Sequence, residues 1–159
     1  EVLKWPPDEI LVLGRSIGCG PALRIASIYR VYGLILIAPF ISCQEIFKVY
    51  LGPTIGNLVE ERFNNKELIA KVRSPLLVVH GRKDTVVPWS HGKALFDRCK
   101  ARKRLVAPAN MNHNTNLHMD AGHFVLPMLQ FFGLPDYAFD ELRVPKWVLD
   151  KRLSHHFEV

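Results

Sequence analysis

The sequence lacks the cysteine pattern, the leader and the long apolar run that mark several classes of protein. Its three cysteines are far apart, with no CxxC spacing, which argues against a disulfide framework or a zinc site and favours a reducing compartment such as the cytoplasm. No uncharged apolar run reaches the roughly 18 residues needed to span a membrane. No secretory leader is recognisable, and because the chain starts at Glu1 rather than Met, we expect the natural N-terminus to lie upstream.

Acidic residues are outnumbered, with 15 Asp and Glu against 21 Lys and Arg and a net charge of +6. This excess favours anionic surfaces in general. Basic residues crowd into positions 98–104, where no aromatic residue interleaves them. Since no nucleic-acid motif accompanies the cluster, we expect no nucleic-acid binding. Two interpretations of the cluster remain: a solvated connection between two elements, and a patch that faces acidic lipid head groups. Its members are Arg98, Lys100, Arg102, Lys103 and Arg104.

The composition is that of a globular chain, with 48% hydrophobic and 23% charged residues. A length of 159 residues fits one domain with a small appendage. We place the domain at 1–135 and the C-terminal appendage, with a short helix expected at 146–153, at 136–159.

Short apolar runs typical of buried strands alternate with amphipathic stretches typical of helices. Such an alternation, with strands that are apolar on both faces, predicts an α/β fold: a mostly parallel sheet of about four strands with helices on both faces. The helix expected over 117–132 is interrupted or bent near Pro127, and Asn64 or Asn65 caps the third helix. The expected strands are 9–13, 34–38, 75–80 and 104–107, and the expected helices are 19–29, 43–51, 66–71, 88–98 and 117–132.

The pentapeptide Gly14-Arg15-Ser16-Ile17-Gly18 has the form G-x-S-x-G. Between a strand and a helix, this pattern is typical of a sharp turn that holds the serine in an exposed, strained position. The flanking glycines are expected to avoid side-chain collisions around the turn, and the N-terminus of the next helix stabilises developing negative charge. Ser16 is therefore the candidate nucleophile.

A serine nucleophile needs a base, and the base needs a carboxylate that orients it. Asp84 follows the third expected strand and His113 follows the fourth. Both therefore lie with Ser16 at the carboxyl ends of parallel strands, where open α/β sheets place their sites. The order Ser, Asp, His along the chain also fits a nucleophile on such a turn. We predict a catalytic triad of Ser16, Asp84 and His113.

Other assignments stay open at this point. Asp84 could be a turn aspartate beside Thr85. His118 or His123 could replace His113 as the base, but both fall on an expected helix and fit less well.

The remaining histidines and the cysteines receive structural roles. His80 ends a strand and is expected to be buried and hydrogen-bonded, and His91 begins a helix. The tail pair His155 and His156 offers at most weak metal binding, so we expect neither a metal site nor a cofactor. The cysteines are expected to be small core residues, with an oxidant sensor behind the nucleophile as the alternative for the first of them; they are Cys19, Cys43 and Cys99.

At these residues the sequence resembles the α/β-hydrolase superfamily of serine hydrolases, and most closely the branch of α/β-hydrolase-domain proteins that includes protein depalmitoylases. The resemblance covers about residues 8–133 and is most specific over 74–99. It departs from the branch at the histidine loop, where Asn112 and Thr115 stand in place of the usual glycine and aspartate. The matching pieces are GRSIG followed by GP, then APF, VRSPLLVVHG, Asp84 with VVP, SHG and LFDRC.

In that family a first half of the sheet precedes the nucleophile turn, so the resemblance implies the carboxyl-terminal half of the fold. One oxyanion-hole donor would be the backbone N–H of Ile17, and the other would lie upstream of Glu1. Loss of one such donor costs about 100- to 1000-fold in turnover. The strand at 9–13 would also lack a neighbour, and a bare apolar edge pairs readily with another chain. We therefore expect an isolated copy to be poorly active and to self-associate.

The resemblance implies a serine hydrolase that cleaves an acyl ester or thioester, with S-palmitoylated proteins or lipid esters as substrates, in the cytoplasm and at membranes. Two alternatives remain. A serine peptidase of the oligopeptidase type shares the order of the triad and would carry a large upstream domain. A catalytically inactive interaction module would explain the altered histidine loop.

Overall fold

The structure is a computed structural model and describes residues 5–117 and 120–133. Strands and helices alternate along these residues, and short 3₁₀ turns occupy Pro7–Glu9, Ser16–Gly18 and Ile69–Lys71. The strands are β1 (Leu11–Arg15), β2 (Gly33–Ile37), β3 (Leu76–Val79) and β4 (Lys103–Val106), and the helices are α1 (Cys19–Ile28), α2 (Cys43–Gly56), α3 (Asn65–Leu68), α4 (Trp89–Arg98) and α5 (Val125–Phe132).

The four strands form one parallel sheet in the order β1-β2-β3-β4. Every residue of β2 and β3 is buried, as expected for strands covered on both faces. The predicted α/β class, with four parallel strands, is confirmed. Because parallel strands all end at one edge, the segments that follow β1, β3 and β4 converge there, and these segments carry the predicted triad.

Alternate residues of the central strands point to opposite faces and build two cores. One core contains Leu34, Leu36, Leu76 and Val78 and packs against residues of α1 and α4. The other contains a second set of strand residues and packs against α5 and the loop after β4: Ile35, Ile37, Leu77 and Val79 with Met111, Phe131 and Phe132. The prediction of helices on both faces is therefore confirmed.

The last expected helix begins later than predicted. It was expected over 117–132, but α5 starts at Val125 and is preceded by a turn in which the Gly122 N–H donates to Asp120 Oδ1 at 2.8 Å. Pro127 consequently lies in the first helical turn, where its missing N–H has no intrahelical partner to lose. Helix α5 is therefore not bent at Pro127, and the expected helix is instead interrupted by the turn before Val125.

Two other boundaries also move. The first strand was expected over 9–13 and lies at Leu11–Arg15, because the backbone stays extended up to the nucleophile. Helix α2 was expected over 43–51 and continues to Gly56 through a break at Gly52, where φ is 79°. Asn64 caps α3, as one of the two alternatives expected, by accepting the Glu67 N–H at 3.3 Å.

The proposed appendage at 136–159, its expected helix at 146–153 and the tail histidines lie outside the described residues. The boundary at residue 135 stays a prediction for the same reason. Within residues 5–117 and 120–133, no helix is long and apolar enough to cross a membrane.

Candidate active site

Ser16 occupies a sharp turn between β1 and α1. Its φ is 51°, a left-handed conformation that a residue with a side chain rarely adopts. The turn is tight enough that a Cβ atom on Gly14 would lie 2.5 Å from the Gly18 carbonyl oxygen and 2.8 Å from the Ala22 Cβ. Glycine is thus required at position 14 by close packing between strand and helix.

The second glycine of the motif has no such requirement. Gly18 has a φ of −63°, and a Cβ atom placed there would meet nothing within 4 Å. The expectation that both flanking glycines avoid collisions is therefore correct for Gly14 and wrong for Gly18.

The structure brings the three predicted residues into one chain of hydrogen bonds. His113 Nε2 lies 3.0 Å from Ser16 Oγ, and His113 Nδ1 lies 2.8 Å from Asp84 Oδ2. Since a carboxylate can only accept, Nδ1 carries the ring proton and Nε2 is free to accept from the serine hydroxyl. The geometry is that of a nucleophile, a base and a carboxylate that orients the base.

Asp84 is almost fully buried and is held on both carboxylate oxygens. Its Oδ1 accepts the backbone N–H groups of Val86 at 2.9 Å and Val87 at 2.7 Å, while Oδ2 faces His113. This is the hydrogen-bonding pattern of a turn aspartate. Asp84 is therefore a turn aspartate, as the alternative interpretation had it, and it contacts His113 as well. The same bonds aim its second oxygen at the base.

His80 is a fully buried neighbour of Asp84, as expected. Its Nε2 lies 2.9 Å from the Val87 carbonyl oxygen and 3.5 Å from Asp84 Oδ2. Burial lowers the pKa of His80 below its usual value, against the opposing hydrogen bond to Val87. A neutral His80 that donates from Nε2 therefore holds the 84–87 turn in place.

His123 and His118 are the alternative bases. His123 pairs with Asp120 at 3.2 Å in the turn before α5. His118 lies outside the described residues. His91 is buried in α4, where burial lowers its pKa and its Nδ1 lies 3.3 Å from the Ile41 N–H. Of the described histidines, His113 is the one that contacts both Ser16 and Asp84.

An apolar groove of about 200 Å³ opens beside Ser16. Its wall comes mainly from α2 and from the turn after Asp84. The Tyr50 hydroxyl connects these two segments, because its one proton is shared between the carbonyl oxygens of Thr85 at 2.6 Å and Val86 at 2.5 Å. The groove was not foreseen, because no pattern local to α2 says which strand end that helix covers. Its lining residues are Ser16, Ile17, Phe40, Cys43, Ile46, Phe47, Tyr50, Val86 and Val87.

A larger cavity of about 540 Å³ lies at the opposite edge of the sheet, on segments that precede β2, β3 and β4. It contains no member of the triad and is lined by cations, among them Arg30, Lys71 and Arg73. Ser16 lines the smaller groove instead, and His113 lies 3.0 Å from Ser16 Oγ. We therefore place the candidate active site at the smaller groove.

The cysteines divide into two buried residues and one that lines the groove. Burial raises the pKa of Cys19 to about 12, which keeps its thiol protonated and disfavours the oxidant-sensor alternative. Cys99 is also buried, with its pKa raised by burial. Cys43 is only partly buried and lines the groove, so the core role expected for it is wrong.

Part of the basic cluster at 98–104 makes hydrogen bonds to other residues of the fold. Lys103 Nζ donates to the carbonyls of Phe96 and Cys99 at 2.8 and 2.7 Å and so satisfies the end of α4. Arg102 and Arg104 bond to residues of α5, at 3.1 and 3.0 Å. Three of the five cations therefore tie β4 to its neighbouring helices.

Within the described residues, no group of three or more His, Cys, Asp or Glu side chains is placed to hold a metal ion.

The fold and the site can be compared with known proteins. No protein-family model matches the chain. The chain is 35% identical over 94 residues to alpha/beta hydrolase domain-containing protein 17B of Homo sapiens, covering 59% of this chain and 32% of the relative. It matches the structure of acetyl xylan esterase 1 from Thermoanaerobacterium sp. JW/SL YS485 with a TM-score of 0.58 at 18% identity, over 79% of this chain and 45% of that one. It also matches MGS-M2, an alpha/beta hydrolase enzyme from a deep-sea metagenome, with a TM-score of 0.59 at 15% identity, over 83% and 68% of the two chains.

The resemblance to the α/β-hydrolases is confirmed. The described part of the chain has the architecture of part of an α/β-hydrolase fold. At the carboxyl edge of its sheet lie the turn that contains Ser16, the turn at 84–87 (the acid turn) and the loop around His113. The chain spans about a third of the length of the curated relative that it matches.

Proposed function

We propose that this chain carries the catalytic triad of a serine hydrolase that cleaves acyl esters or thioesters. The observation that supports it is the continuous set of hydrogen bonds from Ser16 through His113 to Asp84, at 3.0 and 2.8 Å, at the mouth of an apolar groove. The bonds supply a nucleophile and its base, and the groove supplies a surface for an apolar acyl group.

In the proposed reaction, Ser16 Oγ attacks the acyl carbonyl carbon while His113 Nε2 takes its proton. Asp84 keeps the His113 ring in the correct tautomer and stabilises the imidazolium. When the tetrahedral intermediate collapses, His113 gives the proton to the leaving sulfur or oxygen atom, which departs as a thiol or alcohol, and Ser16 keeps the acyl group. Water, deprotonated by the same histidine, then attacks the acyl carbonyl carbon, and His113 returns that proton to Ser16 Oγ as the acid leaves.

Ile17 has two roles in this proposal. Its backbone N–H follows the nucleophile at the turn that leads into α1, the position from which an amide stabilises an oxyanion. Its side chain is 63% exposed and lines the groove. The same residue therefore connects the oxyanion side of the site with the acyl side.

The apolar lining favours long acyl groups, and S-palmitoylated proteins or lipid esters are the substrate class that we propose. Burial of each methylene contributes about 0.8 kcal/mol, or roughly fourfold in kcat/KM. We expect kcat/KM to rise along a series of acyl thioesters from acetyl to palmitoyl until the groove is filled. Ile46→Trp, which narrows the groove, should flatten that rise and spare the acetyl substrate.

A fluorophosphonate probe read by intact mass tests the nucleophile directly. Wild-type chain should gain one adduct, and Ser16→Ala should gain none, while Ser27→Ala on α1 should label like wild type. Absence of labelling in the wild type would favour the inactive interaction module. Labelling together with cleavage of peptide amides rather than thioesters would favour the oligopeptidase alternative.

We further propose that the protein acts in the cytoplasm at an acidic membrane surface. The excess of basic residues supports this placement. The exposed Arg98 and Lys100 are the members of the basic cluster that are most available to lipid head groups.

We also propose that the isolated chain self-associates through β1. Among the described strands, β1 lies at an edge of the sheet, paired with β2 on one side, and Leu11 and Leu13 are 40% and 51% exposed. The unpaired backbone groups of such an edge can pair with a strand of a second chain. Sedimentation velocity should show a concentration-dependent shift above the 18.2 kDa monomer, and Leu13→Lys should reduce it. A strictly monomeric wild-type chain would contradict this prediction.

A further inference from the structure

Arg15 connects the nucleophile turn to the histidine loop. It is the last residue of β1 and immediately precedes Ser16. Its Nη2 donates to the backbone carbonyl oxygen of His113 at 2.8 Å, across 98 positions of sequence. A guanidinium that donates to a carbonyl makes a charge-assisted bond, which is stronger than one between neutral groups.

The histidine loop is shaped by bonds of its own. The Asn112 N–H donates to Thr115 Oγ1 at 2.9 Å, and the Asn114 N–H donates to Asn112 Oδ1 at 2.9 Å. Thr115 Oγ1 also lies 3.1 Å from Asn112 Oδ1. The two residues that depart from the family pattern thus build a compact turn. All of these bonds are local, so they fix the shape of the loop and leave its position relative to Ser16 undetermined.

Longer-range bonds supply that position, and one of them runs from the Arg82 N–H to the Pro108 carbonyl oxygen at 3.1 Å. On the acid side, the Lys83 N–H donates to the Met111 carbonyl oxygen at 3.0 Å, one residue before Asp84. On the nucleophile side, Arg15 donates to the His113 carbonyl itself. The imidazole must meet Ser16 and Asp84 at the same time, and the Lys83 and Arg15 tethers each begin at the residue adjacent to one of those partners.

We propose that Arg15 is a positioning residue that holds His113 in register with Ser16. This inference rests on the proposed hydrolase function for its kinetic consequence. Because Arg15 and Ser16 are consecutive, any movement of the nucleophile turn carries the tether and the histidine with it. Without the tether, the nucleophile side would lose its bond to the His113 backbone, while the acid side would keep the bond from the Lys83 N–H to Met111. A misplacement of about 1 Å between reacting groups costs on the order of 100-fold in rate.

Arg15→Met tests the tether, since it keeps the length of the side chain and removes its donors. We expect kcat on an acyl thioester to fall by about 10- to 100-fold, with KM within twofold of wild type. Arg15→Lys retains one donor and should recover part of the loss. Arg24→Met, at an exposed arginine on α1, is the matched control and should keep full turnover. Unchanged kcat in Arg15→Met would overturn the proposal, as would a proportional loss of folded protein measured by thermal unfolding.

The ring resonances of His113 provide a readout that does not depend on turnover. In wild type the Nδ1 proton bonded to Asp84 should be seen at low field, and Arg15→Met should broaden it while the ring signals of His123 stay unchanged. If the chain labels at Ser16 and this signal is insensitive to Arg15, the positioning role fails and the hydrolase stands. If the signal responds to Arg15 and the wild type neither labels nor turns over, the hydrolase fails and the tether stands.

Discussion

Asp84→Asn is expected to lower turnover by about four orders of magnitude with little change in the fold. In the native site, Asp84 Oδ1 accepts two backbone N–H groups, from Val86 and Val87. An asparagine would keep its carbonyl oxygen on those donors, which places its NH₂ group against His113 Nδ1. His113 would then have to accept at Nδ1 and carry its proton on Nε2, so that it faces Ser16 as a donor and cannot take the serine proton.

The control for this change is Asp97→Asn, which removes an exposed carboxylate paired with Lys93 on α4 and should keep full turnover. Steady-state turnover of an acyl thioester and the thermal unfolding midpoint are the two measurements. A variant with wild-type turnover would show that Asp84 does not orient the base. A variant that has lost its folded structure would show that the bonds to Val86 and Val87 need the carboxylate charge.

The positions of the strands and of the triad could be predicted because each depends on local sequence. β2 and β3 are short, fully apolar runs, and such runs are buried strands wherever they occur in an alternating chain. Once the strands are parallel, the residues that follow them meet at one edge. Ser16, Asp84 and His113 are predicted from the G-x-S-x-G motif, from the order of the three residues and from their places after strands, and the structure puts the His113 ring within hydrogen-bond distance of the other two.

The errors have a local and a distant source. Within 117–132 the apolar pattern is broken at Asp120 and Gly122, and the local bond from Gly122 N–H to Asp120 Oδ1 makes a turn before α5 starts at Val125. The groove, by contrast, depends on how α2 folds back over the carboxyl edge, and Tyr50 fixes this through carbonyls some 35 positions away. Neither the Tyr50 contact nor the Arg15 tether has a signature in neighbouring residues.

The altered histidine loop departs from the family pattern, and the effect of this departure can be judged only from the contacts in the structure. From the sequence, Asn112 and Thr115 favour an inactive module. In the structure they hydrogen-bond to each other and present His113 to both of its partners. The altered loop is thus compatible with contacts from His113 to both Ser16 and Asp84.

Gly81→Ala is expected to be the most damaging small substitution outside the triad. A Cβ atom at position 81 would lie 2.1 Å from the carbonyl oxygen of Met111 and 2.5 Å from its carbonyl carbon. These are main-chain atoms that cannot rotate aside, so the whole segment would have to retreat by about 1 Å or more. Met111 is two residues from His113, and Gly81 is three from Asp84, so the retreat separates the base from its carboxylate.

We expect Gly81→Ala to lose on the order of 100-fold in turnover and to unfold about 3–10 °C lower, as for an overpacked core site. Gly18→Ala is the stability control, because its added Cβ meets nothing within 4 Å and its φ is already helical; its unfolding midpoint should equal or exceed that of the wild type. The two results together distinguish a glycine that is needed for lack of space from a glycine that merely belongs to the motif. Gly18 belongs to the G-x-S-x-G pattern and is expected to tolerate a methyl group, while Gly81 lies outside the pattern and is not.

A Gly81→Ala protein with wild-type turnover and stability would mean that the acid turn and the histidine loop do not touch at this point. In that case their register would have to be set by longer-range bonds such as the Lys83 and Arg15 tethers.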